Sequence, residues 1–195
     1  MTPDAIYDFF MEVAEGSPLP VVLYSFPAVT AGIEMDSDLL IRISKAHPNI
    51  IGTKFTCGDT GKLARVARSM DTKTPSQPGK SYWAVAGLAD FALQGLVAGA
   101  SGVVAGGANV LPKTCVRVYE LFRQGRFDEA MKAQSLLSEG DWPHTGAGIG
   151  ATKAVLQQVY GYGGHGRSPL RRLSSKTAES IVAHMKDVLA FESTL

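Results

Sequence analysis

His47-Pro48-Asn49-Ile50-Ile51-Gly52-Thr53-Lys54-Phe55 decides how the chain is read. Its core is a short, unalternating apolar run closed by a lysine, the pattern of a strand buried on both faces of a parallel sheet. His47-Pro48 ends the preceding segment, because a residue before proline is pushed out of helical conformation. Upstream, Val21-Val22-Leu23-Tyr24 has the same character and stops at Pro27. Downstream, Tyr82 to Ala86 and Gly102 to Ala105 repeat it. Between these strands lie helical patterns. One has Asp36 or Ser37 as cap and Leu39, Leu40 and Ile43 inward; another follows Gly58-Asp59 with Leu63, Val66 and Ala67; a third runs from Phe91 to Ala98, capped by Asp90.

The chain opens on a helix. Thr2 can cap it, Pro3 fits its first position and Asp4 suits its positive end, with Ile6, Phe9, Phe10 and Val13 as an apolar stripe. Thr72 to Lys80, rich in proline and glycine, is a surface loop. Beyond residue 112 the pattern is helical: Lys113–Arg123, Phe127–Ser138, Ala151–Tyr160 and Ser175–Phe191, the last with Ser175 at its start. Strands alternating with helices at about 30-residue spacing mean a parallel α/β sheet. Periodicity alone leaves open a doubly wound sheet or part of a barrel.

Composition narrows the function classes. Hydrophobic residues are 45% and charged residues 19%, so the chain is globular rather than disordered. Net charge is +1 with no basic cluster, which argues against nucleic-acid or anionic-membrane partners. Two cysteines, Cys57 and Cys115, give neither a disulfide framework nor metal spacing, so a cytoplasmic, reducing setting is expected. No run approaches a membrane span, and Met1-Thr2-Pro3-Asp4 lacks the features of a signal peptide. His47, His144, His165 and His184 share no metal-ligand spacing, so no metal is expected.

In parallel α/β folds, ligands bind at the carboxyl ends of strands. Tyr24 and Lys54 fall there, as does Gly106-Gly107-Ala108-Asn109. A lysine within a core strand would have its ammonium form disfavoured, and a neutral amine can attack a ketone to form an imine. The plainer alternative is a lysine reaching from a strand end to solvent. Tyr24 is either a core aromatic or a proton relay beside that amine. Gly146-Ala147-Gly148-Ile149-Gly150 precedes a helix but follows no strand, so it reads as a helix entry rather than a phosphate loop. Cys57 reads as a packing residue.

Tyr24-Ser25-Phe26-Pro27-Ala28-Val29-Thr30-Ala31-Gly32 resembles the Y-N-x-P-x-R-T-G segment of the dihydrodipicolinate synthase / N-acetylneuraminate lyase family of class I pyruvate aldolases. His47 to Lys54 resembles its H-P-N-I-V-G-x-K segment, with Gly58-Asp59 following. Gly99-Ala100-Ser101-Gly102-Val103-Val104 and Ala108-Asn109-Val110 resemble its stretch after the eighth strand. Gly161-Tyr162-Gly163-Gly164 with Arg167-Ser168-Pro169-Leu170 is similar to the helical extension of 4-hydroxy-2-oxoglutarate aldolase-like members.

The resemblance implies a partial TIM (β/α)8 barrel, strands five to eight, over residues 1–112, with a helical extension over 113–195 packed on the same domain. It implies Lys54 as the Schiff-base lysine and Tyr24 as the proton relay, with Val104 where the backbone contacts the keto acid. The implied reaction reversibly cleaves a 2-keto-3-deoxy acid or a 4-hydroxy-2-oxo acid to pyruvate and an aldehyde, glyoxylate in the latter case, without cofactor or metal. The small-molecule partners are thus a keto acid and an aldehyde, and family members imply a homo-oligomer.

Two departures qualify this. The family's barrel is typically ~250 residues, and no Gly-Thr-Thr segment for the pyruvate carboxylate occurs here. The alternative is therefore a truncated, inactive half-barrel acting only through association. Val29 stands where the synthase subgroup has an arginine, and valine cannot pair with a second carboxylate. A sugar-derived keto acid fits better than the lysine-biosynthesis substrate. A nucleotide-binding α/β domain is a third reading, resting only on the glycines after Gly102–Ala105.

Overall fold

The computed structural model describes residues 1–195. The chain divides into two compact units, Met1–Gly87 with Gln94–Val104, and Leu88–Leu93 with Ala105–Leu195.

The first unit is built on β1 (Val21–Ser25), β2 (Ile50–Phe55), β3 (Trp83–Ala86) and β4 (Gly102–Val103), paired parallel in that order. Helices α1 (Pro3–Gly16), α2 (Ser37–Ala46) and α3 (Thr60–Met70) alternate with the strands. Their starts follow local chemistry. Thr2, Asp36 and Asp59 each accept a hydrogen bond from an orphan N–H of the first turn, at Ala5, Leu39 and Lys62. The core of this unit joins Leu23 and Phe55 of the sheet to Leu40, Ile43, Leu63 and Val66 of the helices, all fully buried.

Several expectations change here. In α1, Ile6 and Ala14 are buried while Phe9 and Val13 are exposed, because only one narrow stripe meets the core. β1 is not buried on both faces: Leu23 and Ser25 are buried, whereas Val22 and Tyr24 are 46% and 43% exposed. Helices cover one face of the sheet only. β4 is shorter than expected, two residues, and Asp90 does not cap by its side chain. A 3-10 turn, Ala89–Phe91, precedes α4 (Ala92–Val97) instead.

The second unit holds α5 (Pro112–Arg123), α6 (Phe127–Thr145), α7 (Ile149–Tyr160), α8 (Ser175–His184) and α9 (Lys186–Thr194). α6 continues past the expected end at Ser138, because the buried Asp141 and His144 carry its inward face on after the apolar period stops. Gln134 Nε2 donates to the Ala89 and Asp90 carbonyls and its Oε1 accepts from the Leu93 N–H. Ser138 Oγ donates to the Asp90 carbonyl, and Asp141 Oδ2 accepts from the Asp90 N–H. A single helix thus satisfies four backbone groups in and just after the 3-10 turn.

α5 has no cap of its own, since Leu111 offers no side-chain acceptor. Glu192 of α9 supplies it, accepting from the Lys113 N–H at 2.9 Å, the Thr114 N–H at 2.7 Å and Thr114 Oγ1 at 2.6 Å. The expected last helix is two, divided at Met185, whose buried N–H is shared between the Ile181 and Val182 carbonyls. Ser174, not Ser175, caps α8 by accepting from the Thr177 N–H. At the entry to α7, Gly148 has φ +82°, which a side chain would strain; the glycine run is a helix entry.

Candidate active site

Strand register brings the predicted residues together. Tyr24 of β1 stands opposite Lys54 of β2, Lys54 opposite Val85 of β3, and Val85 opposite Gly102 of β4. Because side chains alternate, Val22, Tyr24, Lys54, Trp83 and Val85 share one face, and Thr53, Phe55 and Ala84 share the helix-covered one. Val104 lies two residues beyond Gly102, on the Lys54 side by the same alternation. Its N–H is already donated to the Ala86 carbonyl at 2.9 Å.

Lys54 Nζ sits 4.5 Å from the centroid of the Tyr24 ring, over its π face. Tyr24 is steadied by Phe26, whose ring centroid is 5.6 Å away. Past Phe26 the chain folds into a tight turn at Pro27–Val29, held by Thr30 Oγ1, which bridges the Phe26 and Ile33 carbonyls. The amine is half-buried, and its strand is not buried on both faces as expected. Tyr24 is exposed, and Trp83 and Val104 of the same face are each 52% exposed.

The strand that carries the amine is held from the other side of the sheet. Next to Lys54, Thr53 Oγ1 is 2.7 Å from the Tyr82 hydroxyl, which is also 2.7 Å from Ser44 Oγ of α2. All three groups are buried, so the chain of hydroxyls pins β2 to the helix layer. Burial raises the Tyr82 pKa above its ordinary value, against the two hydrogen bonds, and the phenol stays neutral. Beneath Lys54, a Cβ on Gly52 would lie 2.6 Å from the Trp83 carbonyl oxygen, so only glycine lets β3 pack so closely there. Sequence reading missed these supports. An unalternating apolar run does not mark which side Thr53 and Tyr82 face, and nothing in it pairs them.

No three His, Cys, Asp or Glu side chains converge as a metal ion would require. Val29, at the arginine position of the resembled motif, is 64% exposed. An amine, a phenol ring against it and strand ends around both can do nucleophilic carbonyl chemistry with proton relay.

Comparison with known proteins shows the family and the fold. The chain is 52% identical over 191 residues to an L-threo-3-deoxy-hexylosonate aldolase of Hypocrea jecorina, covering 98% of this chain and 60% of that protein. It is 41% identical over 191 residues to a protein of Emericella nidulans named "Probable 4-hydroxy-2-oxoglutarate aldolase, mitochondrial", covering 98% of this chain and 59% of the relative. A solved dihydrodipicolinate synthase family structure from Coccidioides immitis superposes with a TM-score of 0.84 at 33% identity, covering 100% of this chain and 62% of that one. The chain therefore spans about 60% of the length of the curated relatives it matches. The four parallel strands are part of a (β/α)8 barrel. No helix is long and apolar enough to cross a membrane. The model of the dihydrodipicolinate synthetase family matches residues 1–187, a span that includes the tyrosine segment on β1 and the lysine segment on β2, and the chain belongs to that family.

Proposed function

We propose that this chain carries the imine-forming half of a pyruvate-type aldolase, with the chemistry in residues 1–112 and a helical extension in 113–195. The observation that carries the reading is the Lys54 amine lying against the Tyr24 ring at the strand ends. Lys54 adds to the C2 carbonyl of a keto acid, and Tyr24 moves protons on and off the carbinolamine oxygen as water leaves. The protonated imine then draws the electrons of the C3–C4 bond while the C4 hydroxyl loses its proton to Tyr24. An aldehyde departs, and the enamine takes a proton at C3. Hydrolysis frees pyruvate and restores the amine, with no cofactor or metal in the cycle.

A 2-keto-3-deoxy-hexonate is the substrate class favoured, cleaved to pyruvate and a three-carbon hydroxyaldehyde. Two facts support this over 4-hydroxy-2-oxoglutarate, whose aldehyde product, glyoxylate, carries a carboxylate. Val29 offers no ion pair to a second carboxylate, and the relative at 52% identity is named for a 3-deoxy-hexylosonate.

The uncovered Lys54 face supports a second reading, a silent half-barrel that acts through association. Borohydride reduction with pyruvate decides between them. The aldolase reading expects a stable adduct on Lys54 that is lost in Lys54→Arg, and a folded sample with no adduct leaves the silent one. We also propose self-association, for which the exposed Val22, Tyr24, Trp83 and Val104 are the physical motive. Sedimentation showing only a monomer at micromolar concentration overturns it. For compartment we favour the cytoplasm, since both cysteines are free; the relative described as mitochondrial makes the mitochondrial matrix the competing outcome of fractionation.

A further inference from the structure

A second lysine in this unit is more secluded than Lys54 and plays no part in the imine chemistry. Lys62, in the first turn of α3, has a side chain only 4% exposed. Its Nζ pairs with the Glu34 carboxylate and also points at Cys57 Sγ, 3.7 Å away. Glu34 is 48% exposed, so a proton passed to it reaches water. Cys57 is half-buried and lies two residues past β2; its N–H is held by the Ser25 carbonyl at 3.0 Å. A thiol, an amine and a carboxylate with an outlet to solvent therefore meet beside the strand that bears Lys54.

A buried lysine usually serves an ion pair alone, and Glu34 supplies that partner. The thiol gives the cluster a second capability. Desolvation, with the Arg65 charge adding to it, lowers the Lys62 pKa below that of a surface lysine. Its free-base form is accordingly easier to reach. The other cysteine has no such company: Cys115 is buried, and burial with the charges of Asp141 and Glu192 pushes its thiol up to about 12.

We propose that Cys57 and Lys62 form a peroxide-sensitive modification site that closes into a covalent sulfur–nitrogen crosslink. Hydroperoxide is the oxidant. Cys57 sulfur attacks one peroxide oxygen, the O–O bond breaks, and a sulfenic acid and one water result. Glu34 takes a proton from the Lys62 ammonium, and the freed amine attacks the sulfenic sulfur. The S–N bond forms as the S–O bond breaks, and the hydroxyl leaves with an amine proton as a second water. The sum is thiol, amine and hydrogen peroxide giving a sulfenamide and two waters, a two-electron oxidation of sulfur. The crosslink ties the end of β2 to α3. A thiol reductant reopens it by attack at sulfur, as it would a disulfide. This inference stands independently of the aldolase reading.

The test is peptide mapping of the whole chain after brief treatment with hydrogen peroxide. The expected product joins the Cys57 and Lys62 peptides at about 2 Da below their reduced sum, and dithiothreitol reverses it. Lys62→Arg keeps a cation beside Glu34 but should yield no crosslink, leaving Cys57 sulfenic acid to be trapped by dimedone. Cys57→Ser should yield neither product, and Cys115 should stay a thiol throughout. Should Lys62→Arg fail to fold, the wild-type map alone decides. Wild-type Cys57 found unmodified, or oxidised only to sulfinic acid without a Lys62 linkage, overturns the proposal.

Discussion

Asp141 and His144 sit one turn apart on α6, both fully buried, with Oδ1 and Nε2 separated by 3.7 Å and neither atom otherwise hydrogen-bonded. Their remaining atoms are engaged, Asp141 Oδ2 by the Asp90 N–H and His144 Nδ1 by Thr152 Oγ1 at 3.1 Å. Burial disfavours charge on both. Asp141 is pushed up to about 6 from an ordinary 3.8, mainly by desolvation, and His144 is pushed down to about 4 from 6.5 by the same cause.

The two shifts act oppositely on stability. Folded Asp141 holds its proton more tightly than the unfolded chain does, so its contribution is present below pH 3.8 and lost as pH rises toward 6. Folded His144 holds its proton less tightly, so its contribution is present above pH 6.5 and lost as pH falls toward 4. Between about pH 4 and 6 the slopes oppose each other, each up to ~1.4 kcal/mol per pH unit. Relative to wild type, Asp141→Asn should lose stability as pH falls through this window, and His144→Gln should lose it as pH rises. Urea midpoints at three pH values measure this; parallel pH profiles for both variants and wild type would refute it.

Removing Glu192 should cost more than an ordinary surface change. Its carboxylate answers three donors at the start of α5, two of them backbone N–H groups. Glu192→Ala should destabilise the chain by about 2–3 kcal/mol, and Glu192→Gln by less, since the amide oxygen still accepts. Chemical denaturation reads both, and an alanine variant within 0.5 kcal/mol of wild type would show that α5 is capped by water.

Tyr82→Phe removes the hydroxyl between Ser44 and Thr53 and leaves two buried oxygens without that partner. A loss of about 1–3 kcal/mol is expected. If the hydroxyl chain positions β2 for catalysis, borohydride trapping at Lys54 should also slow. A destabilised variant that traps pyruvate at the wild-type rate would restrict Tyr82 to a folding role.

Tyr24→Phe keeps the ring beneath Lys54 and removes the proton carrier. Turnover of a 2-keto-3-deoxy-hexonate should fall on the order of 10²-fold or more, while Lys54 remains able to form a trapped adduct. Unchanged turnover would place the relay elsewhere.

Much of this was legible in the residues, and the exceptions have physical causes. The four strands and the neighbours Tyr24 and Lys54 follow from apolar runs spaced one βα unit apart. The one-sided burial of β1 does not, because Val21–Tyr24 reads alike whether or not anything covers its second face. α6 was expected to end at Ser138 because the apolar period stops there, although Asp141 and His144 continue its inward face. The break at Met185 carries no glycine or proline to announce it. Glu34 lies 28 residues from Lys62 in a segment without regular structure, so only the folded chain brings them to Cys57. Glu192 caps α5 from 78 residues away.

The hold of α6 on the Ala89–Phe91 turn imposes an order on biosynthesis. The Leu93 N–H meets its acceptor 41 residues later in the chain, and the Asp90 N–H meets its own 51 residues later. At a synthesis rate of about 5–20 residues per second, that turn stays hydrated for roughly 3–10 s after leaving the ribosome. Nascent chains stalled before Gln134 should therefore expose the Ala89–Leu93 segment to protease, and release past Asp141 should protect it.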